Sequence, residues 1–375
     1  MDVVGAATEL TLVRESIDVF DLDLGGLTVF TEAATGYFRC TPALALAAGA
    51  RRVFAIARDS RYGSRDDAVT AVRALARGAG VDDERLVFVD GFDRVGEADI
   101  VTNLGFVRPL DHGLITRLAP RAVIPLMWET WELRPHELDF AECLARDILV
   151  LGTNESDPRL RTMDDVGRVV AKLLEGMQVP PRGARVLVVG GGALASAVAR
   201  ILVKRGASVT ILSELPVDAD VEARRVPGSL ASPRARGWLR RVSALVLVDH
   251  HSDHVLIGKE GDITPEVIAE VNPTLAIAHI SGLTDDRALR ALGLTVVPDV
   301  IASRSRTMSV TTALLGPRPV YALHAAGLRV AEIMARARRS TPTIEAARAL
   351  ALRHPICQDF SSLQYERYRA RRTGT

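Results

Sequence analysis

Cysteine, lysine and long apolar runs are all scarce in this 375-residue chain. The three cysteines, Cys40, Cys143 and Cys357, lie far apart and form no CxxC pair. That excludes a disulfide framework and suits a reducing, cytoplasmic setting. Lysine occurs only as Lys172, Lys204 and Lys259, a skew that reads as base composition more than function. No apolar stretch approaches the roughly 18–20 residues needed to span a bilayer. The opening Met1-Asp2-Val3-Val4 has neither the basic start nor the apolar core of a signal peptide. Lys+Arg 47 against Asp+Glu 46 gives a net charge of +1, so no basic surface runs over the whole chain. Neither a nucleic acid nor a membrane is expected as a partner. Material for a core is ample, since 48% of residues are hydrophobic and 25% charged. At roughly 100–200 residues per domain, the length predicts two domains.

Short β-branched runs alternate with helical patterns, which marks βαβ units and parallel sheets. The first half offers strands at 27–31, 52–57, 86–89, 99–103, 122–127 and 148–151. Helical segments fall at 41–49, 65–78, 111–118 and 135–146. The first 25 residues give no clear pattern. A helix over 162–178 follows, with Thr162 as N-cap and apolar residues at helical spacing from Val166 to Met177. It is expected to bridge two α/β domains. A second strand series then runs through 184–189, 208–212, 244–248, 275–278 and 294–297, and 324–375 is mostly helical by pattern. The expected fold class is α/β: two doubly wound parallel-sheet domains, the second a Rossmann dinucleotide-binding domain, with a helical C-terminal segment. The boundaries fall at 1–155 (flavodoxin-like or Rossmann-like), 156–322 and 323–375, the last returning to the first domain.

Val189-Gly190-Gly191-Gly192-Ala193-Leu194-Ala195 matches G-x-G-x-x-G/A between a strand and a helix. Gly190 allows the tight turn, Gly192 lets a pyrophosphate approach the backbone, and Ala195 permits close helix–strand packing. Exposed amides and the helix dipole favour the phosphate charge. The bland alternative is a glycine-rich turn that holds nothing. Where the second strand ends, Ser213 and Glu214 stand at the ribose contact. Glu214 suits NAD, while Arg224 and Arg225 downstream would tolerate the 2′-phosphate of NADP. NAD is the expected cofactor and NADP the alternative.

The order of parts resembles the D-2-hydroxyacid dehydrogenases, the formate/glycerate dehydrogenase group, over roughly residues 95–335. The matching segments are Leu118–Ile124, Glu137–Val150 with Thr153-Asn154, the glycine loop, His254–Gly258, Val271-Asn272-Pro273, Ser281–Leu289 and His324-Ala325-Ala326-Gly327. The resemblance implies a histidine that exchanges a proton, an acidic residue that tunes it and an arginine that holds a substrate carboxylate. Only the histidine has its counterpart, His324. The arginine position falls on Ile280, and no Asp or Glu lies between Asp299 and His324. Arg304, Arg306 and Arg134 are candidate substitutes. His324 reads as a helix-start residue, where the dipole would keep its ring neutral. The resemblance also implies a homodimer, with the Val166–Met177 stripe either at its interface or facing the sheet.

Asp249-His250-His251-Ser252-Asp253-His254 invites a metal reading, but the resemblance makes it a loop lining the nicotinamide cleft. His250 and Ser281 are accordingly cofactor candidates, and His279 is a structural histidine. In the first half, Trp128–Arg134 and Gly152–Glu155 follow strands, where open α/β sheets bind ligands. Glu129, Arg134, Asn154 and Glu155 are therefore substrate candidates. A methyltransferase loop at Glu32–Gly36 is set aside for want of repeated glycines. The expected function is an NAD(P)-dependent oxidoreductase acting on a small anionic hydroxy/oxo or amino/imino substrate in an interdomain cleft. The alternatives are a hydrolase or lyase with tightly held NAD, as in adenosylhomocysteinase-like enzymes, and a non-catalytic dinucleotide-binding protein.

Overall fold

The computed structural model describes residues 3–370, apart from 82, 135 and 219. Pro135 and 371–375, included above in helical segments, lie outside the described residues. The chain forms two compact units, Met1–Arg161 with Gly316–Thr375, and Thr162–Leu315. The divisions thus fall some six residues from those read in the sequence. The helix Thr162–Gly176 lies wholly in the second unit, and Thr162 is its first helical residue.

The strands are β1 (Thr28–Glu32), β2 (Arg52–Ile56), β3 (Leu86–Val89), β4 (Ile100–Val101), β5 (Val123–Pro125), β6 (Leu149–Thr153), β7 (Arg185–Val189), β8 (Ser208–Leu212), β9 (Arg224–Val226), β10 (Ala244–Val248), β11 (Val255–Ile257), β12 (Ala276–Ser281), β13 (Leu283–Thr284), β14 (Thr295–Val297) and β15 (Cys357–Gln358). In the first unit they order as β15-β6-β5-β4-β1-β2-β3. All neighbours pair in parallel except β15, which runs antiparallel to β6. Every residue of β1 and β6 is buried, as a sheet covered on both faces requires. The helix Arg65–Gly78 starts at a reciprocal cap, Ser64 accepting from the Asp67 amide and the Asp67 carboxylate from the Ser64 amide. Cover also comes from the helices Val3–Phe20 and Pro317–Ser340, which pack on each other. At Gly327 a Cβ would lie 2.7 Å from the Met127 sulfur, so only glycine lets the long helix settle on β5.

The second unit orders its main sheet as β14-β12-β10-β7-β8-β9, all parallel, with β11 and β13 as a separate pair. Val166, Val169, Val170 and Leu174 are buried in one core with Val186, Val188, Val246 and Ala278. The apolar stripe therefore faces its own sheet, and the homodimer expectation loses that surface. Close helix contact is set by Gly167, where a Cβ would stand 3.0 Å from the Ala197 carbonyl oxygen. No helix among the described residues is long and apolar enough to cross a membrane. All three cysteines are free and buried.

Candidate functional site

The glycine loop joins β7 to the helix Gly192–Lys204, and each glycine there answers a local demand. Gly190 has φ +132°, and a Cβ on it would lie 2.7 Å from the Val248 carbonyl, so β7 could not pass the end of β10 with any side chain. On Gly191 it would strike Ser213 Oγ at 2.4 Å and Leu215 Cβ at 2.5 Å. Gly192, at φ +68°, faces open space except for His251 Nε2, 3.1 Å from the Cβ position. Ala193 is exposed at the helix mouth, whereas Leu194 and Ala195 are buried. No side chain caps this helix, and a helix leaves its first amides without intrahelical partners. One of them, the Gly192 N–H, donates to the Pro216 carbonyl at 2.9 Å. An uncapped helix mouth with a cradle that a Cβ would fill fits a dinucleotide diphosphate.

At the end of β8 the Ser213 hydroxyl accepts the Leu215 amide at 2.9 Å and is spent on its own turn. Glu214 is exposed. Neither arginine considered for a 2′-phosphate is uncommitted. Arg224 stacks over the Trp238 ring at 4.4 Å, and Arg225 donates to the Asp218 carbonyl at 2.5 Å.

Beyond β10, Asp249 accepts the amides of His251 and Ser252 at 3.0 and 3.2 Å and the Ser252 hydroxyl. Burial would raise its pKa, but these donors outweigh burial and hold it below the usual carboxylate value. His250 is buried and donates from Nδ1 to the Val248 carbonyl, because a carbonyl can only accept. Burial, with the adjacent His251, pushes its pKa down to about 4. The sequence placed His250 against the cofactor; the ring that faces Gly192 is His251, exposed and stacked on His250 at 3.9 Å. Among the described residues no three His, Cys, Asp or Glu converge as a metal site. His279 bridges Ser309 Oγ (2.8 Å) and the Gly282 carbonyl (2.6 Å), so its proton sits on Nε2. Ser281, fully buried at the end of β12, has a hydroxyl with no partner. Arg306, at φ +56°, reaches the Asp253 carboxylate and the His251 carbonyl only at 3.4 and 3.5 Å, and its Nε is buried with no acceptor.

In the first unit His324 is not at a helix start. It sits within the helix Pro317–Ser340, whose signal in the sequence was Pro317 at the first turn. Dipole effects are confined to the first turn, so the neutral ring has another cause: burial pushes its pKa down to about 4. Its Nδ1 lies 2.5 Å from Thr41 Oγ1, and Phe38 packs on the ring at 5.7 Å. Three of the substrate candidates have partners within the fold. Glu129 accepts from Trp131 Nε1, the Glu155 amide and Gln358 Nε2, tying β5, β6 and β15. Burial still raises its pKa against those donors. Asn154 donates to the Pro355 carbonyl and accepts the Ser156 amide. Arg134 pairs with Glu137 at 2.7 Å, which Arg108 shares at 2.6 Å, so Arg134 is no free clamp. Sequence reasoning missed Glu132, whose carboxyl is pushed up to about 8 by burial and by Glu129 beside it. Its signal was the spacing Glu129-x-x-Glu132, two carboxylates flanking one turn.

A family model for NAD(P)-binding domains matches residues 177–255, which contain the glycine loop, the end of β8 and the turn after β10. The second unit thus carries an NAD(P)-binding domain. No curated protein is significantly similar to the chain. Among solved structures, a dipicolinate synthase polypeptide from Bacillus halodurans is 14% identical, with a TM-score of 0.51 over 85% of this chain and 100% of that one. Its counterpart in the dipicolinate synthase of Bacillus subtilis gives 11% and 0.51, over 87% and 99%. The pyruvate reductase of Chlamydomonas reinhardtii gives 13% and 0.52, over 84% and 97%. At such identities the likeness is one of fold. The chain shares with these proteins a fold of two parallel-sheet α/β units.

Proposed function

We propose that the chain is an NAD(P)-dependent oxidoreductase acting on a small hydroxy/oxo or amino/imino substrate, with NAD preferred. The observation that carries this reading is the glycine cradle of the second unit, uncapped, with no room for a side chain at Gly190 or Gly191 and a positive φ at Gly192. When bound, the cofactor supplies or accepts a hydride at its nicotinamide ring. Gly190–Ala195 hold the diphosphate, and Glu214, exposed just past the end of β8, serves the ribose. Ser281 offers a buried, unpartnered hydroxyl at the neighbouring strand end.

His324 is the proposed proton-transfer residue, on the strength of the His-x-x-Gly resemblance. For Nε2 to take a proton, Nδ1 must carry the ring hydrogen and donate it to Thr41 Oγ1. The neutral ring is in the form that takes up a proton, as oxidation of an alcohol or amine requires, while burial makes it a weak base. The second reading, a non-catalytic dinucleotide binder, is favoured by one feature: burial alone shifts His324, with no carboxylate to tune it. Titrating the purified protein with NADH and NADPH, then assaying turnover on hydroxy acids, amino acids, oxo acids and imines, separates the two. Tight binding with turnover of any such substrate supports the enzyme. Tight binding with none supports the binder, and no binding removes both.

A further inference from the structure

We infer that His251 and Arg306 form a second, cationic jaw that closes on the cofactor diphosphate opposite the glycine loop. The inference rests on the cofactor reading above but adds a ligand set that the loop motif does not contain. Outside the loop's own neighbours, His251 Nε2 stands nearest the space that Gly192 leaves open, 3.1 Å from the Cβ position. The ring is held there. Its backbone amide is pinned by Asp249 and its face lies on His250. Being exposed, it can turn its nitrogens to a ligand's oxygen.

Arg306 arrives from a different part of the chain and is fixed as firmly. The segment carrying it is fastened to β12 by Ser309, whose amide donates to the Ile280 carbonyl at 2.8 Å. The Ser309 hydroxyl accepts the Ala302 amide at 2.8 Å and bonds His279. Between these ties Arg306 adopts a left-handed backbone conformation that a non-glycine residue takes up at some cost. Yet its guanidinium gains little from the protein in return. The two contacts of its Nη2, to the His251 carbonyl and Asp253, are long at 3.5 and 3.4 Å, and the buried Nε has none. A buried cationic donor without an acceptor is destabilising unless something absent from the free chain completes it.

Around His251 stand His250, Asp249, Asp253 and Arg306, and Gly192 contributes no charge. Asp249 is occupied by two amides and a hydroxyl, and Asp253 is more than half exposed. Burial lowers the His251 pKa, Asp249 opposes that shift and Arg306 adds to it. A diphosphate bound beside the ring would favour its protonated form. The chemistry recognised is a diphosphate ester, held by an imidazole, a guanidinium and the helix amides together.

The test measures binding of NADH, ADP-ribose and adenosine to the whole protein and to His251→Gln, Arg306→Gln, Arg306→Lys and Gly192→Val. His251 is exposed and Arg306 partly so, and circular dichroism checks that each variant folds. We expect His251→Gln and Arg306→Gln each to weaken NADH and ADP-ribose about tenfold or more, the usual worth of a charge-assisted hydrogen bond. Adenosine should bind all of them alike, and Arg306→Lys should recover part of the loss. Wild-type affinity for ADP-ribose should also fall between pH 6 and pH 8, and that slope should flatten in His251→Gln. Unchanged ADP-ribose affinity in both glutamine variants, with Gly192→Val still unable to bind, overturns the jaw and leaves the cofactor site standing. If Gly192→Val binds as the wild type does, the cofactor reading itself fails. Equal losses for adenosine would also overturn the jaw, since adenosine has no phosphate to lose.

Discussion

Counted outward from the first strand of each, the two sheets are wound alike: β3-β2-β1-β4-β5-β6 in the first unit and β9-β8-β7-β10-β12-β14 in the second. Both therefore reverse direction beside their first strand, between β1 and β4 and between β7 and β10, where such sheets leave a crevice. The contents of the two crevices are opposite. In the first unit Glu32 ends β1 and reaches across to accept the Phe106 amide at 3.0 Å. So tightly does it fill the gap that a Cβ on Gly105 would fall 1.9 Å from its carboxylate oxygen. Burial raises the pKa of Glu32 against the pull of the Phe106 amide and Arg108. In the second unit the same place holds three glycines and an uncapped helix. Topology makes the crevice; the residue at the end of the first strand decides whether an anion can enter it.

The sharpest way to break that comparison is to place a side chain in each crevice's loop. Gly192→Val should abolish NADH binding, seen as loss of the fluorescence change on titration, with a lowered melting temperature because a β-branched residue is strained at its φ of +68°. Gly36→Ala, at the matching turn of the first unit, has nothing within 4 Å of the added carbon. It should leave NADH binding unchanged, at a modest stability cost from its φ of +59°. If both variants lose binding alike, the cofactor is not confined to the second unit.

Next in size is the effect of His324, the first unit's proposed contribution to chemistry. His324→Asn should leave NADH affinity intact and cut turnover about 10²–10⁴-fold, the range for a lost general base. Wild-type turnover in this variant would make the residue a packing histidine, held by Thr41 and Phe38 and nothing more.

Both units also bury a histidine in neutral form, His324 in the first and His250 in the second, each with a pKa pushed down to about 4. The unfolded chain holds such a ring near pH ~6.5. Below that value the unfolded state takes up the proton first, so stability is full at neutral pH and declines as pH falls towards 4. At pH 5 each group would cost about 2 kcal/mol. Urea unfolding at pH 7 and pH 5 should show that His324→Asn loses about 2 kcal/mol less between the two pH values than the wild type does. A decline that is unchanged in the variant would assign the acid limb elsewhere.

Local signals in the sequence revealed the sheets well. β3, β8 and β10 begin and end where the apolar runs do, and the helix Arg65–Gly78 has the bounds read at 65–78. The helix Val3–Phe20 escaped because its buried face includes Glu9 and Ser16. Glu9 is satisfied by Arg39 and by Tyr321, partners the linear sequence could not bring near. β15 escaped because two residues carry no period. At the cofactor site, the glycines were legible since their spacing is itself the mechanism. That His251 rather than His250 faces Gly192 was not, because it depends on which way the chain turns after β10, and Asp249 sets the turn by accepting two successive amides. Glu129 and Asn154 looked like ligand groups for the same reason that they are structural. Strand ends need polar partners for one another as well as for substrates.

The smallest expected effect concerns which coenzyme the second crevice prefers. At the end of β8, Ser213 spends its hydroxyl on the Leu215 amide, and Arg224 and Arg225 are committed to Trp238 and to backbone carbonyls. Neither arginine is thus poised for a 2′-phosphate, and Glu214 is the nearest charge on that loop. NAD should therefore already be preferred. In Ser213→Asp the new carboxylate can keep the bond to the Leu215 amide with one oxygen and turn the other towards the ribose. Against NAD that oxygen gains a hydroxyl partner; against NADP it meets a phosphate of like charge. A partly solvated pair at contact distance is worth about 1 kcal/mol in water and more at a protein surface, so the NAD-to-NADP affinity ratio should rise several-fold, to about tenfold. Binding titrations with both reduced coenzymes measure it directly. A ratio that does not move, or that falls, would place the ribose contact away from the end of β8, and Glu214 would lose its role with it.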